Sequence, residues 1–311
     1  MLDELLDYTV FDVFSDKAFG GCPVTVVNSA GALDLEQMQM MASEFATPRT
    51  AFVTGGAAGL SKVMFFSPLR QVPYSPLSAL GAAVDICRRD ESLSNRQTQA
   101  ITISTATVDI KVKVSLRKQD ASGKNGFFDD TFFVGAFLPR PIFASFGYNL
   151  ALLSGALGTS QENIPSTWPL GLAFGGAWNL VVPMVTPQSL AEARPDLEAI
   201  YDLTKKLQCQ SVVLYSHSGP NEIKCRTLSP ALGIMGQSVS VTGAGSVCSL
   251  LVKESAVTED SPSTLITARE RMQDREPKLK VQVYGTGEEI TAVQVTGMCV
   301  AALEGKSKVP G

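Results

Sequence analysis

The sequence predicts an α+β chain of two similar halves, each a β-sheet enclosing one buried helix. Three observations carry this. First, one segment is used twice. Lys62-Val-Met-Phe-Phe-Ser-Pro68 leads to Ser78-Ala-Leu-Gly-Ala-Ala-Val-Asp-Ile-Cys87, and Lys224-Cys-Arg-Thr-Leu-Ser-Pro230 leads to Thr242-Gly-Ala-Gly-Ser-Val-Cys-Ser-Leu-Leu-Val252. Each copy reads as strand, turn at Ser-Pro, helix. The offset is 224 − 62 = 162 residues, about half the chain, and it also joins Asp34-Leu35-Glu36 to Asp196-Leu197-Glu198. One internal copy means two related halves rather than a solenoid. Second, both helical runs are apolar or small nearly all round. Leu77 to Ile86 holds Asp85 as its one charge, and Gly243 to Val252 holds none. A surface helix shows a single apolar stripe, so helices of this kind are buried. Third, 311 residues at 45% hydrophobic and 18% charged suffice for two ordinary domains with large cores. The halves are placed at 1–137 and 138–311, the last segment able to pack back on the first half. Free N–H groups at each helix start make a natural anion site, although both helices serve equally well as plain core helices.

Composition narrows the function. Net charge is −4 and no Lys/Arg run occurs, which argues against nucleic acid. No apolar run approaches the roughly 18 residues of a membrane span, and the acidic start Met1-Leu-Asp-Glu-Leu-Leu-Asp is unlike a signal peptide. The six cysteines form no C-x-x-C, so reduced, mostly buried thiols in the cytosol are expected. A metal site is not expected: the sole histidine, His217, lies in the polar run Ser216-His-Ser-Gly-Pro220 and is read as a solvated loop residue. No cofactor is expected either. No G-x-G-x-x-G follows a strand, no Walker loop occurs, and Gly55-Gly-Ala-Ala-Gly59 reads as a hairpin turn.

In chain order, Tyr8–Phe14 alternates as a strand, Gly20–Pro23 turns, and Val24–Val27 is the next strand. Leu33–Phe45 is helical with Asp34 as cap. Thr47-Pro-Arg-Thr50 breaks it before the strand Ala51–Thr54. After the first key segment, Ile101–Leu116 reads as paired strands, Lys118–Gly126 as a polar loop and Thr131–Phe137 as a strand. Pro139 and Pro141 mark the link. Leu150–Leu157 is a short helix, Trp178–Met184 a strand, Pro187–Leu207 one or two helices, and Ser211–Tyr215 a strand before the second key segment. Ser261–Arg275 reads as a charged surface loop, Lys278–Tyr284 and Ile290–Val295 as a hairpin, and Val300–Gly305 as the closing segment.

With these segments placed, the chain resembles the phenazine-biosynthesis isomerase (PhzF-like) family, which shares its fold with diaminopimelate epimerase. Gly21-Cys-Pro-Val-Thr-Val-Val27 is similar to the family's G-N-P-x-x-V-V, and Pro48-Arg-Thr-Ala-Phe-Val53 to S-E-T-A-F-V. Phe66-Ser-Pro-Leu-Arg-Gln-Val-Pro-Tyr74 resembles F-T-P-x-x-E-L-P-F, with Ser75-Pro-Leu-Ser-Ala-Leu-Gly81 where C-G-H-A-T-x-G follows. Arg226-Thr-Leu-Ser-Pro230 is similar to R-x-F-A-P, and Ser238-Val-Ser-Val-Thr-Gly-Ala-Gly245 falls where E-D-P-x-T-G-S-A belongs. Each motif is weak alone; their order and spacing over nearly the whole chain carry the likeness. The resemblance implies two domains, each a barrel-like sheet around a central helix, with the active site in the cleft between them.

The family moves a proton with a Glu, a His and an Asp. By the same alignment these positions hold Arg49, Leu77 and Val239, the epimerase-type cysteine positions hold Ser75 and Val239, and Cys22 replaces the early Asn. Arginine is no base at neutral pH, and Leu and Val exchange no protons. The resemblance therefore implies a drier pocket with one fixed cation, suited to holding and shaping a carbonyl, enolate or carboxylate. Arg49, Tyr74 and Ser75 are the catalytic candidates, and Cys22, Thr50, Leu77, Trp178, Val239, Thr242, Gly243 and Ala244 the substrate-binding ones. Arg49 turned to solvent, and Tyr74 and Trp178 as core packing, are the plain alternatives. Three functions follow: a cofactor-independent isomerase or cyclase of small-molecule, secondary-metabolite biosynthesis; a non-catalytic binding or regulatory relative; or an isomerase with relocated acid/base groups such as Cys22, Ser75 or Tyr74. The expected partner is a small molecule. Oligomeric state stays open, a homodimer included.

Overall fold

The alternating residues at the start of the chain become paired strands, buried on both faces from Thr9 to Val13 and from Val24 to Val27. The computed structural model describes residues 5–57, 59–90, 98–117, 131–233, 240–257, 263–270 and 275–311. In the first half, β1 (Leu5–Val13) pairs antiparallel with β2 (Cys22–Val27). Helix α1 (Leu35–Phe45) follows, started by a reciprocal cap in which Asp34 Oδ1 accepts from Gln37 N at 2.8 Å and Gln37 Oε1 accepts from Asp34 N at 3.1 Å. Then come β3 (Arg49–Ala57), β4 (Leu60–Phe66), the two-residue β5 (Gln71–Val72), helix α2 (Pro76–Arg89), β6 (Thr98–Ser104), β7 (Asp109–Arg117) and β8 (Thr131–Leu138).

The second half adds β9 (Ile142–Ala144), α3 (Leu150–Leu157), β10 (Gly171–Phe174), β11 (Trp178–Pro183), α4 (Pro187–Glu192), α5 (Leu197–Lys206), β12 (Ser211–Gly219), β13 (Glu222–Leu228), α6 (Val241–Lys253), β14 (Ser263–Glu270), β15 (Lys278–Tyr284) and β16 (Ala292–Lys308). Contacts divide the chain into one unit of Met1–Phe137 with Thr296–Gly311 and a second of Leu138–Val295.

In the first unit the strands run β1-β2-β3-β4-β6-β7-β8, and β16 lies between β8 and β1, closing an eight-stranded barrel. Helix α2 packs against β1, β2, β3, β4, β6 and β7. Eleven of its fourteen residues are buried. Outside the sheet, α1 covers a cluster of Leu6, Val27, Met38, Met41, Phe52 and Phe66. In the second unit the order β15-β14-β13-β12-β11-β10-β9 curls round α6, which packs against β10, β11, β12, β14 and β15. No pairing among the described residues closes this sheet into a ring. Its outer face is covered through Leu153, Leu157, Leu190 and Ile200 of α3, α4 and α5.

The duplication is visible in the register. β12 and β13 stand 162 residues after β3 and β4, at both ends of each strand. Thr50↔Phe66 in one pair matches Val212↔Leu228 in the other. This is the α+β, diaminopimelate epimerase-like architecture of two similar domains.

Two readings are corrected. His217 lies in β12, not in a solvated loop: it is half-buried, opposite Ile223, with its ring 4.8 Å from that of Trp168. Its polar neighbours hide the strand because they form the far end of a hairpin. Within Ser261–Arg275, residues 263–270 form β14, parallel to β13 and antiparallel to β15. There the inward residues Thr264, Ile266 and Ala268 alternate with Leu265, Thr267 and Arg269, and an inward threonine beside an exposed leucine masks the period. The expected loop Lys118–Gly126 lies outside the described residues.

Candidate functional site

Strand pleating decides which first-unit side chains share α2's face. A Cβ on Gly81 of α2 would lie 3.1 Å from Val24 Cγ1 and 3.7 Å from Val26 Cγ2, so even-numbered β2 residues face the helix, Cys22 among them. Arg49 is the register partner of Val24 and takes that face too. Thr50, paired with Thr25, takes the opposite one. There the hydroxyl of Thr47 lies 2.8 Å from that of Thr25 and 3.5 Å from that of Thr50. Thr50 is fully buried on the α1 side, so it does not join Arg49.

The helix direction fixes the end. Ile86, Arg89 and Asp90 at the close of α2 share a cavity with Asn28, Val53 and Ser61. The start of α2 therefore lies by the other strand ends: Cys22, Arg49 and Phe66. The turn after β4 adds a further group. Ser67 N donates to Arg70 O at 2.8 Å, and Ser67 Oγ accepts from Arg70 N at 3.2 Å. Since Phe66 pairs with both Thr50 and Gln71, the next row across the sheet is Arg49, Ser67, Arg70.

Arg49 is half-buried, with Nη1 donating to Pro48 O at 2.8 Å. No carboxylate among the described residues pairs with it. Burial pulls its pKa down to about 10, Cys22 opposing and Arg70 adding to the shift, so it remains a cation at neutral pH. Burial pushes the Tyr74 phenol upward, which makes it a hydrogen-bond donor rather than a base. Ser75 caps α2: its Oγ accepts from Ser78 N at 3.3 Å and lies 2.8 Å from Ser78 Oγ. Pro76 has no N–H and Ala79 N bonds Ser75 O, so Leu77 keeps the free donor of the first turn. The Leu77 side chain is buried.

In the second unit α6 opens at Val241, one residue before Thr242. Its cap is Ser240, whose Oγ accepts from Gly243 N at 2.9 Å and lies 3.2 Å from Thr242 Oγ1, while Ala244 N bonds Ser240 O at 2.8 Å. The Gly243 and Ala244 donors are thus taken by the helix start. Trp178 lies on the other face of its sheet. It packs on the outer cluster with Leu180 and Val182, while the adjacent Asn179 bonds Ser246 of α6. Val239 lies outside the described residues.

The structure therefore gathers Cys22, Arg49, Tyr74, Ser75 and Leu77 at the α2 start and separates Thr50 and Trp178 from the central helices. The sequence reading missed Arg70. Its signal was the turn Ser67-Pro-Leu-Arg70, which returns the chain to the row of Arg49.

A family model described as phenazine biosynthesis-like protein matches residues 11–305. A Deinococcus radiodurans protein named an uncharacterized isomerase is 28% identical over 284 residues, 90% of this chain and 87% of that one. The trans-2,3-dihydro-3-hydroxyanthranilate isomerase of Pseudomonas aeruginosa is 24% identical over 304 residues, covering 96% of this chain and 98% of that one. A Bacillus anthracis phenazine biosynthesis protein of the PhzF family superimposes with a TM-score of 0.80 at 17% identity, over 98% of this chain and 99% of the other.

Proposed function

The chain belongs to the phenazine biosynthesis-like protein family, and from that premise we propose that it is an isomerase or cyclase of small-molecule biosynthesis. It needs no cofactor and acts by binding and shaping its substrate rather than by the family's proton shuttle. The curated relatives are isomerases by name. The observation that carries the mechanism is Arg49: a half-buried guanidinium on the helix face, with no carboxylate partner among the described residues.

Such a group holds a substrate carboxylate or enolate oxygen through a charge-assisted hydrogen bond. Partial desolvation strengthens that bond relative to water. Tyr74 and the Leu77 N–H are the further donors at the same helix start, and the Leu77 side chain supplies an apolar wall. A flexible substrate held this way is confined to a reactive conformer. Negative charge that gathers on its oxygen as the bonds rearrange is met by Arg49 without reorganisation. Arg49 and Tyr74 both keep their protons at neutral pH, so neither serves as a general base.

The test uses the compound in the P. aeruginosa relative's name as first probe, incubated with the purified protein in D2O and followed by NMR. Binding is expected to depend on Arg49, and any product is expected to carry no deuterium on carbon. Arg49→Ala is expected to lose about 3 kcal/mol of transition-state stabilisation, roughly a hundredfold in rate. Deuterium on a substrate carbon, or an Arg49→Ala variant that binds and turns over like the wild type, overturns the proposal.

A further inference from the structure

Each unit has an open cavity at the carboxyl end of its central helix, and the two differ in charge. The first, of about 780 Å³, is lined by Asp7, Asn28 and Arg89 among others. Its cation is matched: Arg89 Nε lies 2.9 Å from Asp85 Oδ2, Arg89 Nη1 lies 3.8 Å from Asp7, and Asn28 Nδ2 donates to the same Asp85 oxygen at 2.6 Å. The second, of about 770 Å³, lies between β9, β10 and the end of α6.

Counted from the capping residues Ser75 and Ser240, Asp85 and Leu250 occupy the same helical position. The strands agree. Val24, which meets Gly81, and Asn179, which meets Ser246, hold matching places beside β3 and β12. The second cavity thus has Leu250 in its wall where the first unit holds a buried carboxylate bonded to the Arg89 and Asn28 that line its cavity. Its walls include Phe143, Leu172, Leu250 and Ile290. Its charges are Arg140, Lys253 and Glu254. Lys253 Nζ lies 2.7 Å from Glu254 Oε1 and 5.6 Å from the Phe143 ring centre. Arg140 Nε donates to Ile290 O at 3.1 Å, which steadies the guanidinium, and no carboxylate among the described residues pairs with it.

We propose that this second-unit cavity is a binding site for an aromatic monocarboxylate. The ring lies on the apolar wall of Phe143 and Leu250, and the carboxylate meets Arg140. One charge fits and two do not, because Glu254 and the carbonyl end of α6 repel a second anion. A neutral aromatic compound leaves Arg140 without its counter-charge. The site is separate from the start of α2 and stands whether or not Arg49 is catalytic.

The probe is 2-naphthoate, with the neutral 2-naphthylmethanol as control, titrated calorimetrically into the full chain. Naphthoate is expected to bind and the alcohol to bind at least about tenfold more weakly, the usual worth of a hydrogen bond to a charged group. Arg140→Gln, an exposed change, is expected to weaken naphthoate by about tenfold. A Cβ on Gly171 would lie 3.6 Å from Ala144 O and 3.9 Å from Leu250 Cδ2, ordinary contacts. Gly171→Val should therefore fold, checked by a thermal melt, and fill the cavity so that binding is lost. Arg49→Ala should bind naphthoate like the wild type. No binding at millimolar naphthoate, equal binding of the alcohol, or loss on Arg49→Ala but not on Gly171→Val overturns the proposal.

Discussion

Val24 and Arg49 are register partners in the parallel strands β2 and β3, and this pairing turns the arginine toward α2 while the next residue, Thr50, turns away. Two adjacent residues, both candidates from the sequence, therefore have separable roles. Arg49→Met keeps length and packing but removes the cation, so turnover should fall about a hundredfold with the melting temperature nearly unchanged. Thr50→Val removes the hydroxyl beside Thr47 and should cost about 1 kcal/mol of stability while leaving turnover intact. Kinetics and denaturant unfolding of both variants check this. Equal loss of activity in the two would show that the faces are misassigned.

In the second unit Asn179 occupies the place of Val24 but carries a polar network instead of a methyl contact. Its Nδ2 donates to Ser246 Oγ and to Ala177 O, both at 3.0 Å, and its Oδ1 accepts from Ser211 Oγ at 2.8 Å. Ser246 Oγ in turn donates to Ala173 O at 3.1 Å. The amide and both hydroxyls are buried, so removing the hub strands donors and acceptors at about 1–3 kcal/mol each. Asn179→Leu should lower stability by about 3 kcal/mol, more than Ser246→Ala, which leaves the amide its other two bonds. Urea unfolding of the pair measures the difference; an Asn179→Leu variant as stable as wild type would discount the network.

Helix α3 offers two glycines with opposite expected signs. Gly158 closes the helix at φ +59°, and a Cβ there would lie 1.9 Å from Arg194 O. Gly155, inside the helix, would meet nothing within 4 Å. Gly158→Ala should cost about 3 kcal/mol from the left-handed backbone and the clash with main chain. Gly155→Ala should stabilise by about 0.5–1 kcal/mol through helix propensity and a less floppy unfolded chain. Melts of the two variants should move in opposite directions.

The buried helices were legible because runs of ten residues with at most one charge have no polar face to turn to water, and the duplication because β3–β4 and β12–β13 kept both spacing and register. The Asp34 cap was legible because capping is local. The faces were not. Thr50 and Trp178 are substrate-binding candidates in the sequence, Trp178 with core packing as its alternative, and pleating sends each to the outer side, Thr50 to the hydroxyls of Thr25 and Thr47 and Trp178 to the α3–α5 cluster. That outcome depends on strand register, which one sequence does not display. Arg70 was missed for a related reason: its link to Arg49 runs through two pairings of Phe66, at residues 50 and 71.

His217, a strand residue rather than a loop residue, is expected to give the protein a pH dependence. Its ring packs edge-on to Trp168 at 4.8 Å and lies 6.0 Å from Tyr215, whose hydroxyl donates to Pro169 O at 2.9 Å. Burial lowers the imidazole pKa, since partial removal from water disfavours the charged form. The unfolded chain, with an ordinary value of about 6.5, therefore binds the proton more tightly than the fold does. The sign follows: stability is fully present above about 6.5 and declines as pH falls through that value toward the lower folded pKa. Because His217 is the chain's sole histidine, a fall in stability between pH 7.5 and 5.5 can be traced to it. His217→Phe keeps a ring against Trp168 and removes the titration, so its unfolding midpoint should be nearly flat over the same interval. The measurement is a series of urea melts across that range for both proteins. Parallel slopes would place the pH sensitivity elsewhere, whereas a slope present only in the wild type assigns it to the neutral, half-buried imidazole.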